Sequence, residues 1–144
     1  NFYLDIPMIR EAGILGSNMS ASTLLPLVHP RDLAATAAEE LQQRGPGKQV
    51  RYVVSDLKRI GDIPGVLGAA IGKPGLPWVE FTDEQAKKGM IDAGLPEEVA
   101  ELYAEMGAAI RSGAVQSHFM EIGSPVMEGT KLEDFAREFA AAFE

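Results

Sequence analysis

The side chains in this sequence best suited to moving protons are two histidines, His29 and His118. Imidazole gives or takes a proton near neutral pH. His29 ends the apolar run Leu24-Leu25-Pro26-Leu27-Val28, and a side chain at the end of a strand can face a ligand crevice. A structural histidine satisfied by its neighbours is the simpler reading, because position is the whole argument for chemistry. His118, with Phe119 beside it, reads either as lobe packing or as a pocket wall. The two histidines stand far apart without a partner at ligand spacing, so no metal site is expected. The absence of cysteine removes thiolate chemistry and disulfides.

Two glycine-bearing stretches could suggest phosphate cradles. Gly13-Ile14-Leu15-Gly16-Ser17-Asn18 lacks a helix opening from its last glycine, and the polar segment 17–23 follows, so it reads as turn and loop. Gly68-Ala69-Ala70-Ile71-Gly72-Lys73-Pro74 fails as a P-loop: Leu67 stands where the first glycine belongs, and Pro74 where a hydroxyl should reach magnesium.

Elements must position these residues, and the organising unit runs from Leu24 to Leu41. A short apolar strand passes through His29-Pro30 into an alanine-rich helix, with Pro30 in its first turn and Asp32 facing the partial positive charge there. Leu33, Ala34, Ala37, Ala38 and Leu41 share one face, which predicts a buried stripe of methyl groups. Gly45-Pro46-Gly47 is a surface connection. A second strand is expected over Val50 to Val54, and a third over Leu76 to Phe81 with Pro77 at its start. Between them, Asp62 caps a helix with Pro64 in its first turn and Gly72 at its end. The segment before Arg10 is a short helix broken at Pro7 or a loop.

The remainder reads as helix. Thr82 and Gln85 form a capping box for a helix ended by Gly94. Pro96-Glu97-Glu98 opens the next, ended by Gly113, whose Val99, Leu102, Tyr103, Met106 and Ile110 predict a buried face with Glu101 and Glu105 in water. After an irregular stretch from Ala114 to Gly129, Thr130 and Glu133 suggest a second capping box. Phe135, Phe139 and Phe143 recur every fourth residue, as core packing.

The whole chain bounds these readings. Its 144 residues and 46% hydrophobic content suit one globular domain, or a large part of one. A net charge of −8 argues against nucleic acid and anionic membrane as partners. No apolar run nears the roughly 20 residues of a membrane span. A soluble, cytoplasmic protein is the expectation. Because the chain opens on Asn1-Phe2-Tyr3-Leu4, it is also expected to be a fragment.

In order, several segments resemble the back half of the NmrA-like family, NAD(P)-binding proteins related to atypical short-chain dehydrogenases/reductases. They are Asn1-Phe2, Val28 to Ala34, Leu67 to Lys73, Trp78 to Phe81, Leu95 to Gly113, and Thr130 to Phe135. The resemblance implies an α/β fold: the back part of a doubly wound Rossmann-like sheet with a mostly helical C-terminal substrate lobe. Residues 1–48 would be the trailing part of the dinucleotide-binding domain, and 49–144 the substrate lobe, partly shared with the sheet. The family's glycine-rich turn follows its first strand and would precede Asn1. NAD or NADP would therefore be held mainly by residues upstream of this chain, although Asn1 and Phe2 would approach the cofactor. Asn1, Phe2, Tyr3, Leu4 and His29 would line the pocket for a small-molecule acceptor.

Three functions compete. One is the C-terminal part of a reductase moving hydride to a quinone or carbonyl-like acceptor, partnered by the N-terminal half of the same protein. A second is a non-catalytic NAD(P)-sensing regulator or partner-binding protein, since one fold hosts both. An independent small α/β module is disfavoured by the exposed edges its strands would leave.

Overall fold

The computed structural model describes residues 2–42 and 47–143. A 3₁₀ turn, Phe2–Asp5, leads into α1 (Ile6–Glu11), so Pro7 starts a helix instead of breaking one. Then come β1 (Leu15–Ser17), β2 (Leu24–Leu27), α2 (Pro30–Gln42), β3 (Asp56–Arg59), α3 (Ile63–Ala70) and β4 (Trp78–Glu80). The helices α4 (Asp83–Asp92), α5 (Glu97–Arg111), α6 (Ser117–Glu121) and α7 (Leu132–Phe143) complete the order. Most of the Gly45-Pro46-Gly47 connection lies outside the described residues.

The strands form two separate two-stranded ladders. β1 runs parallel to β4, with Leu15 opposite Trp78 and Ser17 opposite Glu80. The expected loop at 13–18 is thus a strand, held by pairing too distant in sequence to leave a local pattern. Gly16 is needed there: a Cβ would stand 2.6 Å from the Val79 carbonyl oxygen and 2.7 Å from the Phe81 ring. β2 runs antiparallel to β3, from Leu24 opposite Arg59 to Leu27 opposite Asp56. The strand expected over Val50 to Val54 is therefore displaced to Asp56–Arg59. In that register Val54 falls opposite His29, where the chain turns into α2, so the ladder cannot continue back. Val54 uses its carbonyl instead to accept the Met127 N–H at 2.8 Å.

Ile9, Leu15, Ile60, Ile63, Leu67, Leu76, Leu132, Ala136 and Phe139 make one core, in which α3 lies against α7. The phenylalanine ladder of α7 is present, with ring centroids 6.0 Å apart for Phe135 and Phe139 and 6.3 Å for Phe139 and Phe143. Its second capping box is not. Thr130 turns to Asp32, which accepts the Thr130 N–H at 2.7 Å and its hydroxyl at 3.1 Å. The buried Asp56 takes over at the helix start, accepting the Leu132 N–H at 2.9 Å. Asp32 sits in the first turn of α2 as expected, yet its charge serves the chain entering α7. The Asp62 side chain likewise makes no capping bond, although α3 begins and ends where expected.

Two amphipathic expectations are corrected. Of α2 only Thr36 is buried; Leu33, Ala34, Ala37 and Ala38 are exposed and Leu41 is 89% exposed, because no described element covers that face. On α5 the buried residues are Ala100, Ala104 and Gly107, one step around from the expected stripe, and Leu102 is 65% exposed. Small residues let α5 lie close on α4. The first capping box is formed, with Thr82 Oγ1 accepting the Gln85 N–H at 3.1 Å and Gln85 Oε1 accepting the Thr82 N–H at 2.9 Å. Among the described residues no helix is long and apolar enough to cross a membrane.

Candidate functional site

The start of the chain, the end of β2 and one face of α7 meet around Phe135. The Phe2 ring lies 6.1 Å from Phe135 at a tilt, and Tyr3 meets the same ring edge-on at 5.3 Å. Tyr3 also stacks on Phe139 at 6.0 Å. The His29 imidazole approaches Phe135 from the strand side at 6.1 Å. Three residues singled out in the sequence, Phe2, Tyr3 and His29, thus share one aromatic hub. Leu4 points away and is 70% exposed, while Asn1 lies outside the described residues.

His29 is held at both nitrogens. Nδ1 accepts the Arg31 N–H at 3.1 Å, which leaves the ring proton on Nε2, 3.4 Å from Glu138 Oε2. A neutral imidazole with a carboxylate behind it can donate toward a ligand only by giving up that partner. Asp5, at the end of the 3₁₀ turn, has its carboxyl pushed up to about 6 by burial. Of the four rings only Tyr3 is exposed; Phe2, His29 and Phe135 are half-buried against one another.

A second concavity lies on the other side of β2. Leu25, Pro26, Tyr52, Val54, Ile110, Val115, Gln116 and Phe119 enclose about 290 Å³. Phe119 is buried in its wall, and the Tyr52 hydroxyl lies 2.6 Å from His118 Nδ1. Tyr52 read in the sequence only as part of an apolar strand, and its pairing with a residue on a short helix left no local signal. The described residues contain no cluster of potential metal ligands.

The chain following β1 and β2 offers no cradle for dinucleotide phosphates. Polar chain follows β1, and α2 opens on Pro30 without an N–H and carries the Asp32 carboxylate, which repels a phosphate.

No protein-family model matches the chain. An NAD(P)H azoreductase from Xenophilus azovorans is 32% identical over 121 residues, covering 81% of this chain and 41% of that protein. The triphenylmethane reductase of Citrobacter sp. in complex with NADP(H) superposes on 97% of this chain with a TM-score of 0.72 at 22% identity. An NADPH-dependent quinone oxidoreductase from Escherichia coli in complex with NADPH does so over 96% with a TM-score of 0.75 at 18% identity. This chain has the fold of the NAD(P)-binding reductases. It spans 50% and 49% of those two solved chains, and it corresponds to their C-terminal half.

Proposed function

We propose that this chain is the C-terminal part of an NAD(P)H-dependent reductase of the NmrA-like kind, which passes hydride to a quinone or another carbonyl-like acceptor. The observation that carries the reading is an agreement between two kinds of likeness. Sequence points to an azoreductase, and backbone shape over nearly the whole chain points to dye and quinone reductases. All three are named for conjugated acceptors. The hub supports this, because Tyr3, edge-on to Phe135, keeps part of its ring in solvent, and an exposed ring can stack a conjugated molecule. In this reading Tyr3 and Phe2 seat the acceptor, and Asn1 and Phe2 approach the nicotinamide.

NAD(P)H would be held mainly upstream of this chain, which spans about half the length of the reductases it matches. The cofactor supplies the hydride, and the protein supplies position and electrostatics. The bare face of α2 would be covered by the N-terminal half of the same protein, burying Leu33 and Leu41.

The test is NADPH fluorescence titration of the full-length protein followed by turnover with a quinone such as menadione. Micromolar binding with turnover is expected. Binding without turnover would leave a dinucleotide sensor on the same fold, and no binding would end the reading.

A further inference from the structure

The cleft beside Tyr52 has the features of a ligand site and no part in the reading above. Its volume, about 290 Å³, falls just below the usual range of small-molecule pockets (~300–1,000 Å³), and it opens to solvent beside Val115, which is 64% exposed. That is room for one or two fused rings. Its walls are aliphatic and aromatic: Leu25, Pro26, Val54, Ile110 and Val115 on most sides, with the Tyr52 ring tilted against Phe119 at 5.4 Å. Gln116 is anchored at the wall by its amide nitrogen, which donates to the Ile110 carbonyl at 3.0 Å. Walls this apolar favour an aromatic ring over a sugar.

One lining residue, Tyr52, carries a hydroxyl at the exposed edge of the cleft. The Tyr52 hydroxyl is 2.6 Å from His118 Nδ1, with the two rings 5.7 Å apart. With the imidazole proton on Nε2, the hydroxyl donates to Nδ1 and its oxygen lone pair is open to a ligand hydroxyl. With the proton on Nδ1, the imidazole donates to the tyrosine oxygen and the phenolic hydrogen is released to a ligand carbonyl. His118 is itself exposed, so exchange between these forms with bulk water costs little. The pair can therefore meet a phenol or a ketone oxygen equally well.

We propose that this cleft is a second binding site, distinct from the aromatic hub, for a mono- or bicyclic aromatic compound bearing one phenolic or carbonyl oxygen. The oxygen sits on the Tyr52 hydroxyl, and His118 sets whether that hydroxyl donates or accepts. The site needs no cofactor and no turnover.

The test uses the full-length protein without nucleotide and 1-naphthol as probe. Calorimetry should give saturable binding, and the His118 and Phe119 ring resonances should shift on addition. Tyr52→Phe keeps the wall and removes the oxygen, so affinity should drop about tenfold, the scale of one lost hydrogen bond. His118→Gln should weaken binding several-fold, and the double variant should be no weaker than Tyr52→Phe alone. Val115→Trp, at an exposed position on the rim, should abolish binding by filling the slot. Unchanged thermal melts and unchanged NADPH titration in each variant separate this outcome from misfolding and from failure of the reductase reading. Unaltered affinity in Tyr52→Phe, or naphthol shifts confined to Tyr3 and Phe135, would overturn the site.

Discussion

Asn18 shows how much one side chain can organise. Buried after β1, its side-chain amide donates to Asp83 Oδ1 and to the Ala104 carbonyl, both at 2.7 Å, and its backbone carbonyl accepts from Arg111. Arg111 closes the triangle with a two-pronged bond to Asp83 at 2.9 and 3.1 Å. The loop, the first residue of α4 and the end of α5 are thereby tied together. Gly107 makes room for it, since a Cβ there would stand 2.0 Å from Asn18 Oδ1. Gly107→Ala gains about 1 kcal/mol of helix propensity. It also forces a buried, doubly bonded amide to move, at about 1–3 kcal/mol for overpacking plus about 1 kcal/mol for each bond lost. The second effect wins, and urea unfolding should show a net loss of about 1–3 kcal/mol. Two carboxylates then set opposite pH slopes. Hydrogen bonds from Arg111 and Asn18 hold Asp83 at about 2, so its contribution is full above pH ~4 and is lost as pH falls toward 2. Asp5, raised to about 6 by burial, binds more protons folded than unfolded, so stability falls as pH rises from about 4 through 6 and stays level above. Asp5→Asn should therefore raise the melting temperature at pH 7 and flatten that slope, whereas Asp83→Asn should flatten only the limb below pH 4. Melting curves of both variants from pH 2 to 8 check the signs.

Among the elements, those specified by local chemistry were legible and those specified by distant partners were not. The Thr82–Gln85 box and the left-handed glycines that end helices, such as Gly94 at φ 95°, state their boundaries within a few residues. The four-residue spacing of Phe135, Phe139 and Phe143 states its own face. β1 and β3 depend on who pairs with them, and a three-residue strand offers no alternation to read. The α5 face was misread for a different reason. Large residues were expected inward, yet helices approach most closely through small ones: Ala100, Ala104 and Gly107 are buried, Gly107 against Asn18, while Leu102, Tyr103 and Met106 are exposed. Phe2 and Tyr3, named by resemblance, and His29, named by its place at a strand end, do lie around one ring, Phe135; the pairing of Tyr52 was invisible because its partner lies 66 residues away. The same contrast sets expectations for mutation. Phe139 is fully buried, so Phe139→Ala should cost about 3–5 kcal/mol in any length of this protein. Leu41→Ser should be near neutral in these 144 residues, where the side chain already meets water. In the full-length protein the same change should cost about 1–3 kcal/mol if an upstream half covers α2. Equal effects in both would remove α2 from that proposed contact.

The scale of the whole molecule is set by what two open ladders can and cannot do. Each of the four described strands has one ladder partner, so the structure presents strand edges and a bare helix face together, on a chain about half the length of the reductases it matches. A dinucleotide is held chiefly through its phosphates, by backbone N–H groups at a helix start and by charged side chains. Each such charge-assisted bond contributes about 1.5–3 kcal/mol. Losing only two or three of them takes a micromolar site past millimolar, since a thousandfold in affinity is about 4.1 kcal/mol. The ring stacking and amide contacts that Phe2 and its neighbours could still offer the nicotinamide fall short of that sum. The isolated 144 residues should therefore show no saturable NADH or NADPH binding below about 1 mM, while the full-length protein binds at micromolar concentration. Fluorescence titration of the two side by side decides it: micromolar binding by the short chain would place the cofactor on residues described here and overturn the assignment of its phosphates to the upstream half.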